Sequence, residues 1–334
     1  MSPDGGLELS IVIVNYKGWE PLSRCLASLS PLVTGRAPRA EVIVVDNASN
    51  DGRCAGFAAA HPRATVVEND GNWGFADGCN RGARDARAEL LLFLNPDALD
   101  PGGGIVALLA AARSRPDAAI FTARQVDENG RAQKVFDVFP SLTTLFGPVR
   151  AALRLVAPHR YPDPRRDRAD DLEVDWVSGS ALLVRRDVFD SLGGFCNGFW
   201  MYSEDVDLCR RARDAGHAVV LVGGATLVHA HGGTSRKDPA TAALTRSEVV
   251  VSRHFYASRH LQKWHARAYH LALFVTRVFP AAVAGLIDRG RAGMASHLAR
   301  YYRQVPSLGW RSRRARSVSR DARPHATPAR PASR

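Results

Sequence analysis

The first 125 residues alternate short apolar runs with segments that suit helices. Five runs have the length of a strand and are rich in β-branched or aliphatic residues: Leu9–Val14, Glu41–Val45, Ala64–Glu68, Glu89–Leu94 and Ala118–Arg124. The helix-like segments between them are Glu20–Leu29, Gly78–Ala88 and Ile105–Arg113. This alternation is typical of βαβ units with strands buried on both faces. The sequence therefore predicts an α/β fold with a mostly parallel sheet flanked by helices.

Polar side chains follow the predicted strands, at Asn15, Asp46, Asn69, Asn95 and Asp97. Open α/β sheets bind ligands beyond the carboxyl ends of their strands. The segment Asn72–Asn80 adds glycines, which let the backbone approach a ligand closely. Together with Asp46, it predicts a site for a nucleotide base and ribose. The alternative interpretation is a loop that carries helix caps.

Asn95-Pro96-Asp97 comes directly after an apolar strand. A carboxylate in this position suits Mg²⁺ or Mn²⁺, which bridge to a diphosphate and stabilise its departure. The same three residue types also favour simple turns. His229 and His231 lie near the end of a strand predicted over His217–Val228. One of them is a candidate metal ligand through its neutral imidazole, and a hydrogen-bonded structural histidine is the alternative.

A second acidic segment opens a helix predicted over Ser203–Ala215, with Ser203 as its cap. Its acids are Glu204, Asp205 and Asp207, and any of them can simply complement the helix dipole. An aromatic environment, here Trp200 to Tyr202, can instead raise the pKa of a carboxyl group and make it a base. A metal and a base in one cleft predict group transfer from an activated phosphate donor. The sequence lacks both the GxGxxG and the GxxxxGK[ST] patterns, which argues against dehydrogenases and P-loop enzymes.

The charge is divided unevenly along the chain. Residues 1–253 carry 29 basic and 31 acidic side chains, whereas residues 254–334 carry 16 basic and 2 acidic ones. We interpret 1–253 as the catalytic domain and 254–310 as a basic helical extension that lies on an anionic membrane. Its aromatic residues Trp264, Tyr269, Phe274 and Phe279 are predicted to dip into the lipid. Nucleic-acid binding and a solvated charged surface are the alternatives.

His270, Arg277 and Pro280 interrupt residues 268–287, so this segment lacks the continuous apolar sequence of a membrane-spanning helix. Residues 311–334 hold eight Arg among Ser, Pro and Ala, and we expect them to be disordered. Five scattered cysteines without a CxxC pair, and a start that does not resemble a signal peptide, indicate a reducing compartment. We therefore expect a cytoplasmic protein at the inner face of the cell membrane.

Taken together, these residues resemble the inverting GT-A glycosyltransferases of family 2, particularly the bacterial rhamnosyltransferase-like branch. The resemblance covers roughly residues 8–260. The matching segments are 10–16, 44–49, 72–76, 95–97, 176–180, 193–195 and 202–208, with His229 and the glycines after it. Their order and spacing are specific, although each segment alone is weak. One departure is Cys196-Asn197, which stands in place of an acidic pair found in many relatives. We interpret that acidic pair as a loop support, so the departure concerns the acceptor side more than the activity.

For the donor side, the resemblance implies the GT-A fold and a nucleotide-sugar-binding half over about 8–125. It implies that Asp46 contacts the nucleotide base, with Asn15 and Tyr16 beside it. The donor cradle would be Asn72, Gly74 and Asn80. Asp97 resembles the metal-binding acid of the family, and Asn95 stands where many relatives carry another aspartate.

For the acceptor half, over about 126–253, the resemblance implies Asp205 as the catalytic base with Glu204 beside it. His229 resembles a metal or diphosphate contact, with His231 as the competing choice. Acceptor contacts are expected from Trp176, Trp200 and Tyr202. The implied reaction is a single displacement with inversion, and the branch suggests dTDP-L-rhamnose as donor and a lipid-linked or cell-surface glycan as acceptor.

Three other functions stay open from the sequence. A nucleotidyltransferase usually has a glycine-rich, basic phosphate loop near its first strand, where this chain has only Lys17-Gly18. A nucleic-acid-binding module predicts a basic core, whereas residues 1–253 are slightly acidic. A catalytically inactive scaffold predicts the loss of Asp97 or Asp205, and both are present.

Overall fold

The computed structural model describes residues 7–34, 39–230, 239–287 and 289–308. His231 and the predicted disordered segment 311–334 therefore lie outside the described residues.

Within these described ranges, nine strands form the main sheet and two more form a small second sheet. In chain order the strands are β1 (Leu9–Asn15), β2 (Ala40–Asp46), β3 (Ala64–Glu68), β4 (Leu90–Leu94), β5 (Ala98–Leu99), β6 (Ala118–Val126), β7 (Phe136–Asp137), β8 (Leu172–Glu173), β9 (Trp176–Val177), β10 (Ala181–Arg185) and β11 (Ala218–His229). The main sheet runs β3-β2-β1-β4-β10-β6-β11-β5, and β8 pairs with β11. The small sheet joins β7 and β9.

Strands β1 to β4 pair in parallel, so their carboxyl ends meet at one edge. Strand β10 lies antiparallel between β4 and β6, and β11 runs parallel to β6. The short strand β5 turns back and pairs with the end of β11. This topology is the mostly parallel sheet that the sequence predicts.

The helices flank the sheet and continue into a C-terminal bundle. They are α1 (Trp19–Thr34), α2 (Cys54–Ala60), α3 (Phe75–Asp85), α4 (Gly104–Ser114), α5 (Leu142–Leu145), α6 (Gly147–Val156), α7 (Arg186–Ser191), α8 (Glu204–Asp214), α9 (Pro239–His260), α10 (Lys263–Leu273), α11 (Phe279–Ile287) and α12 (Arg289–Leu308). A π-helical turn, Phe274–Val278, connects α10 to α11.

The period-two alternation of β1 explains the layered core. Ile11 and Ile13 point to the side of α1 and α4, whereas Val12 and Val14 point to the side of α3 and α8. Both faces of the strand are therefore buried, as its continuous apolar sequence predicts.

The C-terminal helices pack directly on the region that carries the acidic residues. The Phe199 and Phe255 rings lie 4.6 Å apart, and α9 also forms ion pairs with α8. Residue 253, the predicted domain boundary, lies within α9, and the division at this point stays a prediction. The prediction for Tyr269 is wrong: it is 1% exposed and packs with Ala257 and Leu273 instead of facing lipid. In the described part of the chain, no helix has the length and hydropathy of a membrane span.

Candidate active site

Asp46 lies buried at the end of β2, where neighbouring polar groups fix its carboxylate. Its Oδ1 accepts hydrogen bonds from Asn15 Nδ2 at 2.8 Å and from Ser49 Oγ at 2.6 Å. Its Oδ2 accepts one from the backbone N–H of Ser49 at 2.9 Å. Tyr16 follows β1 at the exposed rim of the same edge. The two strand ends predicted for base binding therefore lie side by side.

The glycine of the predicted donor cradle joins two distant loops. Gly74 has φ of 94°, and a β-carbon there would lie 2.1 Å from the backbone oxygen of Trp200. The next residue, Phe75, donates its N–H to that oxygen at 2.8 Å. Asn47 holds the cradle from the sheet side, since its Nδ2 donates to Gly74 O at 2.8 Å. Asn72 Oδ1 accepts from Gly74 N–H at 3.2 Å.

Asn80 faces the loop that departs from the family pattern. Its amide donates to Phe195 O at 2.8 Å and to Asn197 Oδ1 at 2.7 Å, and it accepts from Phe195 N–H at 2.9 Å. Asn197 Nδ2 in turn donates to Asp77 Oδ1 at 3.2 Å. In this structure Asn80 is thus bonded to the loop, and Asn197 supports that loop with an amide in place of an acid.

Asp97 and His229, 132 residues apart, meet because β5 pairs with the end of β11. His229 Nε2 lies 3.1 Å from Asp97 Oδ1, and Asn95 Nδ2 lies 3.4 Å from the same imidazole nitrogen. Both Asp97 and His229 are buried. A carboxylate, an imidazole and an amide within hydrogen-bond distance form a donor set that suits Mn²⁺ or Mg²⁺.

A second group of potential ligands lies at the other end of this edge. Ligand atoms of Asp46, Cys54 and Glu68 lie within 4.8 Å of one another. Burial, followed by the charges of nearby acids, raises the pKa of the Cys54 thiol, which keeps it protonated and a poor ligand. Asp46 already accepts three hydrogen bonds. We therefore favour Asp97 and His229 as the metal-binding residues.

Asp205 lies in the first turn of α8, where backbone N–H groups orient its carboxylate. Its Oδ2 accepts from Gly179 N–H at 2.9 Å, and its Oδ1 accepts from Val206 N–H at 2.8 Å. Burial raises the pKa of Asp205 above its ordinary value. A carboxylate oxygen accepts more than one hydrogen bond, so these contacts leave capacity for a substrate hydroxyl.

The neighbouring Glu204 is 5% exposed, and burial together with the charge of Asp205 raises its pKa well above the ordinary value. Its Oε2 has no hydrogen-bond partner among the described residues. Two carboxyl groups this close do not both ionise readily. Burial without a partner for Oε2 favours the protonated form of Glu204, whereas the two backbone N–H bonds favour the ionised form of Asp205.

The residues before α8 adopt an unusual backbone. Tyr202 and Ser203 have φ of 70° and 64°, a conformation that costs energy in residues other than glycine. Ser203 occupies the N-cap position of α8 as predicted, but its side chain makes no capping bond in the described structure and its Oγ lies 3.3 Å from Ser252 Oγ. Strain of this kind is concentrated at functional sites.

The turn Ser178-Gly179-Ser180 lies between the segment that carries Asn95 and Asp97 and the segment that carries Asp205. Ser180 O accepts from Asn95 N–H at 2.8 Å, while Gly179 N–H reaches Asp205. The Ser180 hydroxyl is also bonded to the buried amide of Gln125, at 2.9 Å. Gln125 is not among the predicted site residues; its one signal in the sequence is that it is a polar residue directly after the fifth apolar run. Through this turn the two acidic segments share one edge of the sheet.

The three predicted acceptor residues differ in their surroundings. Trp200 is buried against Gly74, and Tyr202 is half-buried beside it. Trp176 donates its indole N–H to Val138 O at 2.9 Å. The ammonium of Lys134 lies 5.6 Å from the centre of the Trp176 ring. Trp176 and Tyr202 are the two of these with partly accessible surface.

Residues 10–193 match the sequence profile described as glycosyl transferase family 2. An N-acetylglucosaminyl-diphospho-decaprenol L-rhamnosyltransferase of Mycobacterium tuberculosis is 33% identical over 279 residues, which cover 77% of this chain and 87% of that protein.

Solved glycosyltransferases share the fold at low sequence identity. A mannosyltransferase of Pyrobaculum calidifontis, solved with GDP-Man and Mn²⁺, has a TM-score of 0.53 and 18% identity, covering 96% of this chain and 81% of that one. GalNAc-T7, solved with UDP, GalNAc and Mn²⁺, has a TM-score of 0.54 and 16% identity, covering 84% of this chain and 58% of that one. These likenesses show the GT-A fold.

Proposed function

The chain belongs to glycosyl transferase family 2, and we propose that it transfers L-rhamnose from dTDP-L-rhamnose to a hydroxyl of an N-acetylglucosaminyl-diphospho-polyprenol, with inversion. The observation that carries the proposal is the shared edge on which Asp205 and the pair Asp97–His229 lie, joined by the turn 178–180. The activity of the mycobacterial relative, an N-acetylglucosaminyl-diphospho-decaprenol L-rhamnosyltransferase, supports the choice of sugar and acceptor.

The donor side is proposed to use the strand ends and the cradle. Asp46, with Asn15 and Tyr16, would orient the nucleotide base, and Asn72 and Gly74 would lie along the donor. Asp97, His229 and Asn95 would hold Mg²⁺ or Mn²⁺, whose charge stabilises the departing nucleoside diphosphate.

Asp205 is proposed to act as the general base. Its ionised carboxylate takes the proton of the acceptor hydroxyl as that oxygen attacks the anomeric carbon of the donor sugar. The bond from this carbon to the diphosphate breaks on the opposite face, which inverts the configuration. Glu204, protonated and buried, limits the negative charge next to the incoming oxygen. Trp176 and Tyr202 would contact the acceptor sugar.

A peripheral location at the inner face of the cell membrane is also proposed. The exposed apolar side chains of α10, the π-helical turn and α11 are Trp264, Leu271, Phe274, Val275, Phe279 and Val283. Residues 254–334 carry a large excess of Lys and Arg. Apolar side chains beside basic ones favour an anionic bilayer surface, and we expect no nucleic acid as a partner.

The first experiment is a thermal-shift titration of the purified protein with a panel of nucleotide-sugars, with and without Mn²⁺, together with an assay of donor hydrolysis. We expect dTDP-L-rhamnose to stabilise the protein in a metal-dependent way. Asp205→Asn should keep this stabilisation and lose hydrolysis, whereas Asp97→Ala should lose the metal dependence. Stabilisation by another donor would change the proposed sugar, and an unchanged Asp97→Ala would contradict the metal site.

A further inference from the structure

Three cations converge on one buried carboxylate beside the acceptor side of the site. Asp137, on β7, has a side chain 5% exposed and lies 2.5 Å from Lys134 Nζ. Arg154 and Arg150, both on α6, approach it at 3.3 Å and 3.6 Å. Because one negative charge faces three positive charges, this cluster has an excess of positive charge.

Two further arginines, Arg253 and Arg277, add positive charge on the C-terminal helices. Arg253 of α9 is half-buried, and burial lowers its pKa; Tyr269 acts to raise it, whereas the charges of Arg277 and Arg150 act to lower it. A partly buried cation close to other positive charges is costly, so such a group favours an anionic ligand.

The cluster lies next to the proposed catalytic base. Asp137 is directly opposite Trp176 in the pairing of β7 with β9, and Lys134 lies over the Trp176 ring. Gly179, which donates to Asp205, follows Trp176 by three residues. At about 3.3 Å per extended residue, this separation is at most about 10 Å along the backbone.

Exposed apolar side chains accompany these arginines. No residue of helix α6 is fully buried in the described structure, and its Leu155 is 84% exposed. Phe274 and Val275, beside Arg277 in the π-helical turn, are also exposed. Positive charge flanked by apolar surface suits a ligand with an anionic head and a hydrocarbon tail.

We propose that Lys134, Arg150, Arg154, Arg253 and Arg277, here named the basic track, bind the diphosphate of a polyprenyl-diphosphate-linked acceptor. The hydrocarbon chain then lies over the exposed apolar residues of α6 and the π-helical turn. The inference rests on the proposed function for the sugar part of the acceptor. It adds a second phosphate site, separate from the donor diphosphate at Asp97 and His229.

The test is calorimetric binding of farnesyl diphosphate and of farnesol, in the presence of dTDP and Mn²⁺ so that the donor site is filled. The variant Arg150→Gln with Arg277→Gln leaves Lys134 and Arg154 on Asp137, which protects the fold. We expect its affinity for farnesyl diphosphate to fall at least about tenfold, since charged hydrogen bonds are lost. The matched control is Arg113→Gln, an exposed arginine on α4 paired with Glu8, and it should bind as the wild type does.

The charge-retaining variant Arg150→Lys with Arg277→Lys should keep most of the affinity. Unchanged binding by the glutamine variant, or an equal loss for farnesol, would overturn the basic track. If the glutamine variant loses binding to phosphatidylglycerol vesicles equally in the absence of farnesyl diphosphate, the basic track binds a lipid headgroup, and the proposal of a diphosphate site is overturned.

The binding measurement needs no sugar transfer, so loss of transfer with intact arginine-dependent binding contradicts the proposed function alone. Transfer with an arginine-independent KM for the acceptor contradicts the basic track alone.

Discussion

Two adjacent carboxyl groups, Glu204 and Asp205, occupy different environments within one helical turn. Backbone N–H groups stabilise the charge of Asp205, whereas Glu204 is buried with an oxygen that lacks a partner among the described residues. These environments support the proposal that Glu204 holds a proton while Asp205 acts as the base. In enzymes, neighbouring carboxyl groups whose environments separate their pKa values commonly act as an acid and a base.

Replacement of Asp205 by Asn removes the proposed base and leaves the volume of the side chain. We expect kcat to fall by about 10²- to 10⁴-fold, the usual contribution of general base catalysis. In the wild type, kcat/KM should rise with pH as Asp205 loses its proton, at a pH above the ordinary aspartate range because burial raises its pKa. Steady-state kinetics across pH measure both effects. A wild-type rate in Asp205→Asn would contradict the assignment.

Glu204→Gln should stabilise the protein at neutral pH. Because the folded-state pKa of Glu204 is raised, the unfolded chain releases this proton at a lower pH than the folded chain does. The wild type therefore loses stability as pH rises above the ordinary glutamate pKa, and glutamine has no such loss. Denaturant titrations at a series of pH values should show a gain for Glu204→Gln that grows with pH. A gain that is independent of pH would indicate ordinary packing effects.

At the scale of elements, Gly74 is the contact that holds the donor cradle against the loop of Trp200. Gly74→Ala combines a positive φ with a β-carbon 2.1 Å from Trp200 O, so the two loops must separate. We expect a loss of kcat/KM of about tenfold to 100-fold, as a misplacement of about 1 Å produces. Gly102→Ala is the matched control, because its β-carbon would meet nothing within 4 Å. Equal kinetics of the two variants would exclude a role for this contact.

Asp207 joins the catalytic helix α8 to the C-terminal helix α9. Its fully buried carboxylate lies 2.8 Å from Arg211 Nη2 and 2.7 Å from both Arg259 Nε and His260 Nε2. Burial acts to raise the pKa of Asp207, but the bond from His260 and the charges of Arg211 and Arg259 bring it below the ordinary value. This anchor therefore stabilises the fold above the ordinary aspartate pKa and weakens as pH falls through the lowered one.

Asp207→Asn should lower the free energy of unfolding at pH 7 by about 3 kcal/mol, because the buried cations lose their partner. Asp214→Asn removes an exposed pair with Arg210 on the same helix and should cost no more than about 0.5 kcal/mol. Denaturant titration compares the two variants. Similar losses would show that Asp207 contributes no more than a surface residue.

The sequence predicts the long elements well, because their signals are local. Strands β1 to β4 and β6 and helix α8 lie where the apolar runs and charge order indicate. Strand β5 has two residues, too few for a period, yet its pairing with β11 is what brings Asp97 to His229. The start of α3 at Phe75, three residues before the predicted one, depends on the long-range contact of Gly74 with Trp200.

Some errors at the site have the same origin. Ser203 lies at the N-cap with a positive φ, and its hydroxyl contacts Ser252 Oγ instead of a backbone N–H of the first turn of α8. Tyrosine is a residue type that often lies at a membrane surface, but contacts with Ala257 of α9 and with Leu273 bury Tyr269. Sequence patterns report the type of a side chain, whereas tertiary packing decides which face of a helix is covered.

At the scale of the whole molecule, the net positive charge lies in the C-terminal part of the chain, and several exposed apolar side chains lie on its described helices. The segment before residue 254 is nearly neutral, while the remainder is strongly basic. The basic track begins beside the proposed base and ends near the exposed turn that carries Phe274 and Val275. Under the proposed function, a lipid-linked acceptor would stay in the bilayer while its sugar reaches Asp205, and membrane association would be part of substrate access.

Membrane association predicts a specific effect of removing exposed apolar side chains. Leu271 and Phe279 are 65% and 59% exposed, so Leu271→Ser with Phe279→Ser should leave the fold intact. Each large apolar side chain contributes about 1.5–3 kcal/mol when fully buried, so co-sedimentation with phosphatidylglycerol vesicles should weaken at least tenfold. The matched control is Val106→Ser, an exposed apolar residue on α4. High salt should weaken wild-type binding because it screens the basic residues. Unchanged sedimentation of the double variant, with salt sensitivity retained, would assign the affinity to charge alone and contradict insertion of this face.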